Sequence, residues 1–230
     1  MPKPSISFFC PAYNDEENVG KVVKSAVEVL GKIAAKYEII IVEDHSPDRT
    51  AEVADALAKK YNGVRVIHNT KNLGYGGALR KGFLNSKYDL IIYTDGDGQF
   101  NAADMAQMVP LLEKADVVSA YRLNRADPLF RIIQTTIFNA LVRVVFGLKI
   151  RDINCALKLY RKKVVDSMKI ESTSTFISSE MLLKAKKKGF RIRQIGVKHY
   201  PRLHGAASGA KPQVVLTTIL DLIKQLKLLF

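Results

Sequence analysis

Cysteine is scarce in this 230-residue chain, with Cys10 and Cys155 its only two. They lie far apart, with no CxxC and no Cys/His cluster at metal-ligand spacing, so neither a disulfide framework nor a zinc site is expected. The start of the chain lacks an apolar stretch followed by a small-residue cleavage site: Met1-Pro2-Lys3-Pro4 runs straight into a strand-like segment. A cytoplasmic location is the expectation. Internal repeats and low-complexity tracts are missing as well. Acid is short in one half only. Residues 1–120 hold 14 Lys and Arg against 16 Asp and Glu, whereas the remaining 110 hold 22 against 6. The net charge of +14 therefore sits in the second half. That asymmetry points to an anionic partner, whether nucleic acid, lipid head groups or a phosphorylated substrate, although a merely soluble basic surface has the same composition.

At 47% hydrophobic residues, the chain is long enough to bury one large core. Short apolar runs rich in Ile and Val cover residues 6–10, 38–42, 64–67 and 90–94, and read as strands buried on both faces. Helical stretches lie between them at about 16–36, 49–61 and 75–85, with Asp or Asn near several starts. The alternation predicts an α/β fold with a mostly parallel sheet flanked by helices. Ligands of such sheets bind beyond the carboxyl ends of the strands. The clusters Tyr13-Asn14-Asp15, Glu43-Asp44-His45 and Asp95-Gly96-Asp97 all follow strands and should converge on one edge.

The second half is less regular. Residues 129–148 are apolar nearly all round, interrupted by Arg131, Gln134, Thr135, Asn139 and Arg143 close to one helical stripe. The arginines make crossing a bilayer costly, so an amphipathic helix lying in the interface is expected rather than a transmembrane span. Residues 214–230 set Asp221, Lys224, Gln225 and Lys227 against Leu216, Ile219, Leu220, Ile223 and Leu226, a second amphipathic helix. For each, packing on the core or on a second subunit is an equal alternative. The expected organisation is a catalytic domain over 1–212, including the helix at about 129–148, and an amphipathic helix over 213–230.

The chemistry centres on Asp95-Gly96-Asp97-Gly98-Gln99. Two carboxylates and an amide after a buried strand make a compact oxygen-ligand set for Mg²⁺ or Mn²⁺. Such a cation bridges the phosphates of a nucleoside diphosphate and stabilises the charge that develops on departure. Gly96 and Gly98 would let backbone approach the ligand closely. Arg131 and Thr135 lie one helical turn apart, so their side chains share a face and can grip a phosphate together.

Four blocks in order, Pro11-Ala12-Tyr13-Asn14-Asp15-Glu16-Glu17, Val42 to Thr50, Asn72-Leu73-Gly74-Tyr75-Gly76-Gly77-Ala78 and Asp95 to Gln99, resemble the family 2 glycosyltransferases. Within that family the chain is most similar to the polyprenol-phosphate branch, the dolichol-phosphate mannose synthase-like enzymes, over about residues 5–210. The resemblance implies a Rossmann-like GT-A fold and inverting transfer from GDP-mannose or a UDP-hexose to a polyprenyl or dolichyl phosphate. It implies that Pro11, Tyr13, Glu16 and Asp44 bind the nucleoside. Asp95 faces the ribose or metal shell, and Asp97 and Gln99 ligate the metal. It assigns Arg122, Arg131 and Thr135 to the acceptor phosphate. Glu180, on a helix over 178–188, matches an acidic position near the acceptor, with a favourable helix N-terminal charge as its plain alternative. The block from His199 to Gly209 resembles a loop that closes over the donor diphosphate, with Arg202 as the leading contact and Ser208 and Lys211 behind it. His204 reads as a solvated bystander. Asp152 and Asn154 precede Cys155-Ala156, where relatives commonly carry a small hydroxyl residue before glycine.

A phosphate acceptor is already an anion and needs no strong base. The rival is a hydroxyl acceptor, which needs a carboxylate base; only Glu180 or Asp152 is evident. A nucleic-acid module is opposed by the acidic strand ends and by the lack of any RNP-like, zinc-finger or helix-turn-helix pattern. A nucleotidyltransferase is opposed by the lack of a glycine-rich phosphate loop after the first strand. The expected partners are thus a nucleotide sugar, a lipid phosphate, a membrane surface and a second copy or membrane subunit, with no nucleic acid.

Overall fold

The computed structural model describes residues 2–202, 204 and 212–226. In chain order the elements are β1 (Ser5–Ala12), α1 (Val19–Ile33), β2 (Lys36–Glu43), α2 (Thr50–Lys60), β3 (Val64–His68), α3 (Gly74–Asn85), β4 (Leu90–Tyr93) and α4 (Asp104–Met108). After a 3₁₀ turn over Val109–Glu113 come β5 (Val117–Leu123), α5 (Leu129–Phe146), β6 (Lys158–Arg161), α6 (Lys162–Asp166), α7 (Ile177–Lys187), β7 (Ile192–Lys198) and α8 (Pro212–Leu226). The strands form one sheet in the order β3-β2-β1-β4-β6-β5-β7.

Strand β1 runs parallel to β2 and β4, β2 to β3, and β5 to β7, as the strand-helix alternation requires. Strand β6 is the exception, antiparallel to both β4 and β5. Its first residue, Lys158, pairs with Tyr93 at the end of β4. The loop entering β6 therefore lies at the same edge as the carboxyl ends of the other six strands.

Alternating side chains divide the core into two layers. Ile6, Phe8 and Cys10 of β1 face α1 and α4, while Phe9, Ile40 and Val42 face α3 and α7. Burying each such side chain contributes roughly 1.5–3 kcal/mol. Phe9 stacks on Tyr93 at 5.4 Å and meets Phe83 edge-on at 5.0 Å. Helix α3 can lie this close only because residue 82 is glycine: a Cβ there would sit 2.2 Å from the Phe9 ring.

Helix α1 begins at Val19, later than the polar block predicts, because residues 15–18 form a turn in which the Asp15 carbonyl accepts from the backbone of Asn18 and Val19, both at 2.9 Å. Asp48 Oδ1 accepts from Thr50 N at 3.0 Å at the start of α2, and Asn72 Oδ1 from Gly74 N at 2.9 Å at the start of α3.

Helix α5 has its amphipathicity turned outward. Asn139 and Val142 are buried and Arg131, Gln134 and Thr135 half-buried, whereas Leu129, Phe130, Ile133, Ile137, Leu141 and Val144 are exposed. By length and composition the helix could cross a membrane, with a mean hydropathy of 1.5. Its polar stripe contacts the domain, where Asn139 Oδ1 accepts from Ile153 N at 3.3 Å, and Phe138 packs edge-on against Phe176. Helix α8 contacts the domain as well. Asp221 Oδ2 accepts from Thr173 N and Ser174 N at 3.2 and 3.1 Å, and Leu222 enters the core, leaving Leu216, Ile219, Leu220 and Ile223 exposed.

Gly82→Ala is expected to lower the unfolding free energy by about 1–3 kcal/mol through overpacking against Phe9. An unchanged denaturant midpoint would contradict the close approach of α3.

Candidate active site

Three strands end in residues with left-handed backbone or run directly into them: Asn14 (φ 55°) after β1, His45 (φ 59°) after β2 and Asn124 (φ 48°) after β5. Such conformations are uncommon outside glycine and cluster where a chain must turn sharply at a site. The turns fold the polar blocks across one edge of the sheet. Asp15 is buried there, its Oδ2 accepting from Tyr13 N at 3.2 Å. Asp44 Oδ1 accepts from Asn69 Nδ2 and Leu73 N, both at 2.8 Å, which ties the second block to the third. Burial raises the carboxyls of both Asp15 and Asp44 above their ordinary range. Glu16 Oε2 accepts from Arg49 N at 2.9 Å, bracing the two turns, and Tyr13 is exposed beside them. The Asp97 charge adds to the upward push on Asp15.

The Asp95–Gln99 turn is pressed against β1. A Cβ on Gly96 would lie 2.7 Å from the Pro11 carbonyl oxygen, so this glycine lets the turn pack on β1, while Gly98 (φ 74°) supplies the turn and faces open space. Tyr75, from the glycine-rich third block, lies beside Asp95 and favours its charged form. The Asp95 Oδ1 atom is buried without a partner. Burial and then the Asp97 charge raise the Asp95 carboxyl, against the opposing pull of Tyr75 and Arg202. Asp97 Oδ1 accepts from Gln99 N at 3.0 Å and Oδ2 from Arg202 Nη2 at 2.6 Å. Gln99 Nε2 donates to the Tyr200 carbonyl and Tyr200 N to the Gln99 carbonyl, both at 3.0 Å, so the 199–202 segment is stitched onto the turn.

Among the described residues no group of three or more His, Cys, Asp or Glu is gathered for a metal. Two repelling carboxylates with an orphaned buried oxygen nevertheless fit Mg²⁺ or Mn²⁺, which need only one or two carboxylates when substrate phosphates and water complete the shell. A cation there would reverse the upward push on Asp95.

Facing this acidic edge is a bank of arginines. Arg122, at the end of β5, holds Asp152 with two parallel bonds, Nε to Oδ2 at 2.7 Å and Nη2 to Oδ1 at 2.9 Å. Its Nη1 donates to Asp127 Oδ2 at 3.3 Å. Arg125 donates to the same oxygen through Nε and Nη2, at 3.1 and 2.9 Å, and through Nη1 to Thr135 Oγ1 at 2.5 Å. Arg131 Nη1 lies 4.0 Å from Asp127 Oδ1. Burial destabilises the Arg131 charge, as do Arg122, Arg202 and Arg125, while Asp127 opposes them. Arg202 closes the gap between bank and acids, with its Nε buried and unpartnered. His199 accepts from Ala126 N at 3.3 Å; burial and then Arg122 depress its basicity.

The residues singled out in the sequence thus fall into two adjoining groups, Asp95, Asp97, Gln99 and Arg202 on one side and Arg122, Arg131 and Thr135 on the other. Thr135 enters the bank through Arg125, which sequence reasoning missed along with Asp127; the Asp127/Arg131 spacing of one helical turn was the available signal. Glu180 makes no contact with either group. It is fully buried, its oxygens accepting from Glu171 N, Ser172 N and Lys184 Nζ at 2.9, 2.8 and 2.6 Å, so it braces the turn that precedes α7. Ser208 and Lys211 lie outside the described residues, while the His204 carbonyl accepts from Asn18 Nδ2 at 3.3 Å. A further missed residue is Lys158, fully buried under the site, whose Nζ donates to the Cys155 carbonyl.

Carboxylates that fit a hard cation beside a bank of half-buried guanidinium groups, at the carboxyl edge of a largely parallel sheet, suit phosphorylated ligands. A model of the glycosyl transferase family 2 matches residues 7–168, and the chain belongs to that family. It is 31% identical over 204 residues to the undecaprenyl-phosphate 4-deoxy-4-formamido-L-arabinose transferase of Edwardsiella ictaluri, covering 87% of this chain and 61% of that protein. It is 30% identical over 211 residues to the dodecaprenyl-phosphate galacturonate synthase of Rhizobium johnstonii, covering 88% and 61%. The chain therefore spans about three-fifths of these curated relatives. The fold matches a crystal structure of glucosyl-3-phosphoglycerate synthase from Mycobacterium tuberculosis in complex with Mn²⁺, UDP and glucosyl-3-phosphoglycerate. The TM-score is 0.77 at 16% identity, covering 97% of this chain and 80% of that one.

Burial pulls the Lys158 ammonium down to about 8 from 10.5. The folded state binds this proton less tightly than the unfolded state, so the penalty is full below about pH 8 and is relieved as pH rises toward 10.5. The stability of wild type relative to Lys158→Met should rise by roughly 1–3 kcal/mol over that window in denaturant titrations, whereas a flat difference would contradict the buried charge.

Proposed function

We propose that the protein is an inverting, metal-dependent glycosyltransferase that moves a sugar from a nucleoside-diphosphate sugar to a polyprenyl phosphate at a membrane surface. The observation that carries this reading is the state of the two carboxylates a hydroxyl acceptor would need as a base. Asp152 is clamped by Arg122 and held below the usual carboxylate range, and Glu180 is buried on backbone amides. Both carboxylates are thus committed to partners within the protein. A phosphate monoester arrives as an anion and attacks without a base, and the arginine bank suits it. The relatives named for undecaprenyl- and dodecaprenyl-phosphate products support the same acceptor class.

In this scheme Pro11, Tyr13, Glu16 and Asp44 frame the nucleoside, and Asp95, Asp97 and Gln99 would hold a divalent cation, which when bound would supply positive charge to the departing diphosphate. Arg202, with Ser208 and Lys211, contacts that diphosphate. Arg122, Arg131 and Thr135 orient the acceptor phosphate so that one of its oxygens forms the bond to the anomeric carbon as the bond to the diphosphate oxygen breaks on the opposite face. The exposed apolar face of α5 lies in the membrane interface next to the bank, with Arg143, Lys149 and Arg151 meeting anionic head groups on the cytoplasmic face. The outer face of α8 adds to this surface or receives a second copy or membrane subunit.

Purified protein with Mn²⁺ or Mg²⁺, a short polyprenyl phosphate and a panel of radiolabelled UDP- and GDP-sugars should yield metal-dependent label in the organic phase. Release of free nucleoside diphosphate without lipid label would sink the acceptor assignment, and neither product would sink the enzyme reading. Asp97→Ala should reduce turnover at least about 100-fold and weaken Mn²⁺ binding in titrations of the free protein; near-normal activity would refute the metal assignment.

A further inference from the structure

The arginine bank already holds an anion of its own. Asp127 lies in the β5–α5 loop with its side chain only 5% exposed. One of its oxygens takes three hydrogen bonds from Arg122 and Arg125, and the other faces Arg131. Arg122 has its remaining paired donors on Asp152, and Arg125 has its third on Thr135. The donors that point at Asp127 are thus the ones a ligand phosphate would need. No step of the proposed reaction uses the Asp127 carboxylate.

We propose that Asp127 is an internal counter-ion of the acceptor pocket, which gathers Arg122, Arg125 and Arg131 in the empty site and competes with the incoming phosphate for them, so that dianionic acceptors are selected. The proposal rests on the phosphate-acceptor reading. A carboxylate brings one negative charge and two oxygens, whereas a phosphate monoester brings nearly two charges and three terminal oxygens at neutral pH. Exchange therefore gains charge-assisted bonds for a monoester. A carboxylate or phosphodiester ligand, with a single charge, gains nothing over the resident group. The arrangement also answers a folding problem, since guanidinium groups brought together under partial burial repel one another without an anion between them.

The test is binding of geranylgeranyl phosphate to the full chain without donor, by calorimetry, for wild type, Asp127→Asn and Asp127→Glu. Asparagine keeps an acceptor oxygen for the arginines but removes the charge. Asp127→Asn should bind about three- to tenfold more tightly, as expected for removal of one competing charge at a partly buried site. It should also bind geranylgeranyl methyl phosphate, a monoanionic diester, which wild type discriminates against. Asp127→Glu should behave as wild type, separating charge from packing. Weaker or unchanged binding by a folded Asp127→Asn protein, with wild type binding normally, would overturn the counter-ion role alone. Failure of wild type and both variants to bind the lipid phosphate would overturn it together with the acceptor reading.

Discussion

The ion pair between Asp97 and Arg202, at 2.6 Å, joins two regions of opposite charge that would each be unstable alone. Asp15, Asp95 and Asp97 repel one another at the ends of β1 and β4, and burial compounds that repulsion. Arg122, Arg125 and Arg131 repel one another at the end of β5. Removing one partner from a buried pair typically costs about 3–5 kcal/mol. Each sign is therefore held by the other: Arg202 against Asp97, Asp152 and Asp127 against the arginines. The groups left imperfectly matched, Asp95 Oδ1 and Arg202 Nε, are those best placed to meet a cation and a phosphate.

Topology makes this meeting possible. With β6 reversed between β4 and β5, the loop carrying Asp152 enters at the carboxyl edge, where Arg122 leaves β5. Lys158 then ties that loop down by donating to the Cys155 carbonyl, which accounts for a lysine at a fully buried strand position. The departure Cys155-Ala156 from the commoner pattern leaves this bond intact because it uses backbone. Helix α5, which precedes that loop in the chain, turns its polar stripe toward the bank, which leaves its apolar side outward.

Much of this was legible in the sequence. Apolar runs followed at once by acidic clusters located β1, β2 and β4 and their common edge, because a strand buried on both faces has few ways to be written. Strand β6 was not legible: Lys158-Leu159-Tyr160-Arg161 opens and closes with residues that ordinarily read as surface. The stripe of polar residues on α5 was visible, but not that it faces inward, since an interfacial helix and a core helix share one periodicity. Asp127 and Arg125 gained meaning only by meeting Arg122 from the other end of a loop. Glu180 fitted a motif position, but the sequence did not show that its oxygens would be taken up by the Glu171 and Ser172 amides and Lys184.

In the proposed reaction the arginine bank makes phosphate, rather than hydroxyl, the attacking group. This is tested most directly by giving the purified protein, with its preferred labelled donor and Mn²⁺, an equimolar mixture of a polyprenyl phosphate and the corresponding free polyprenol. Label is expected in the phosphate alone; label transferred to the alcohol would contradict a phosphate nucleophile.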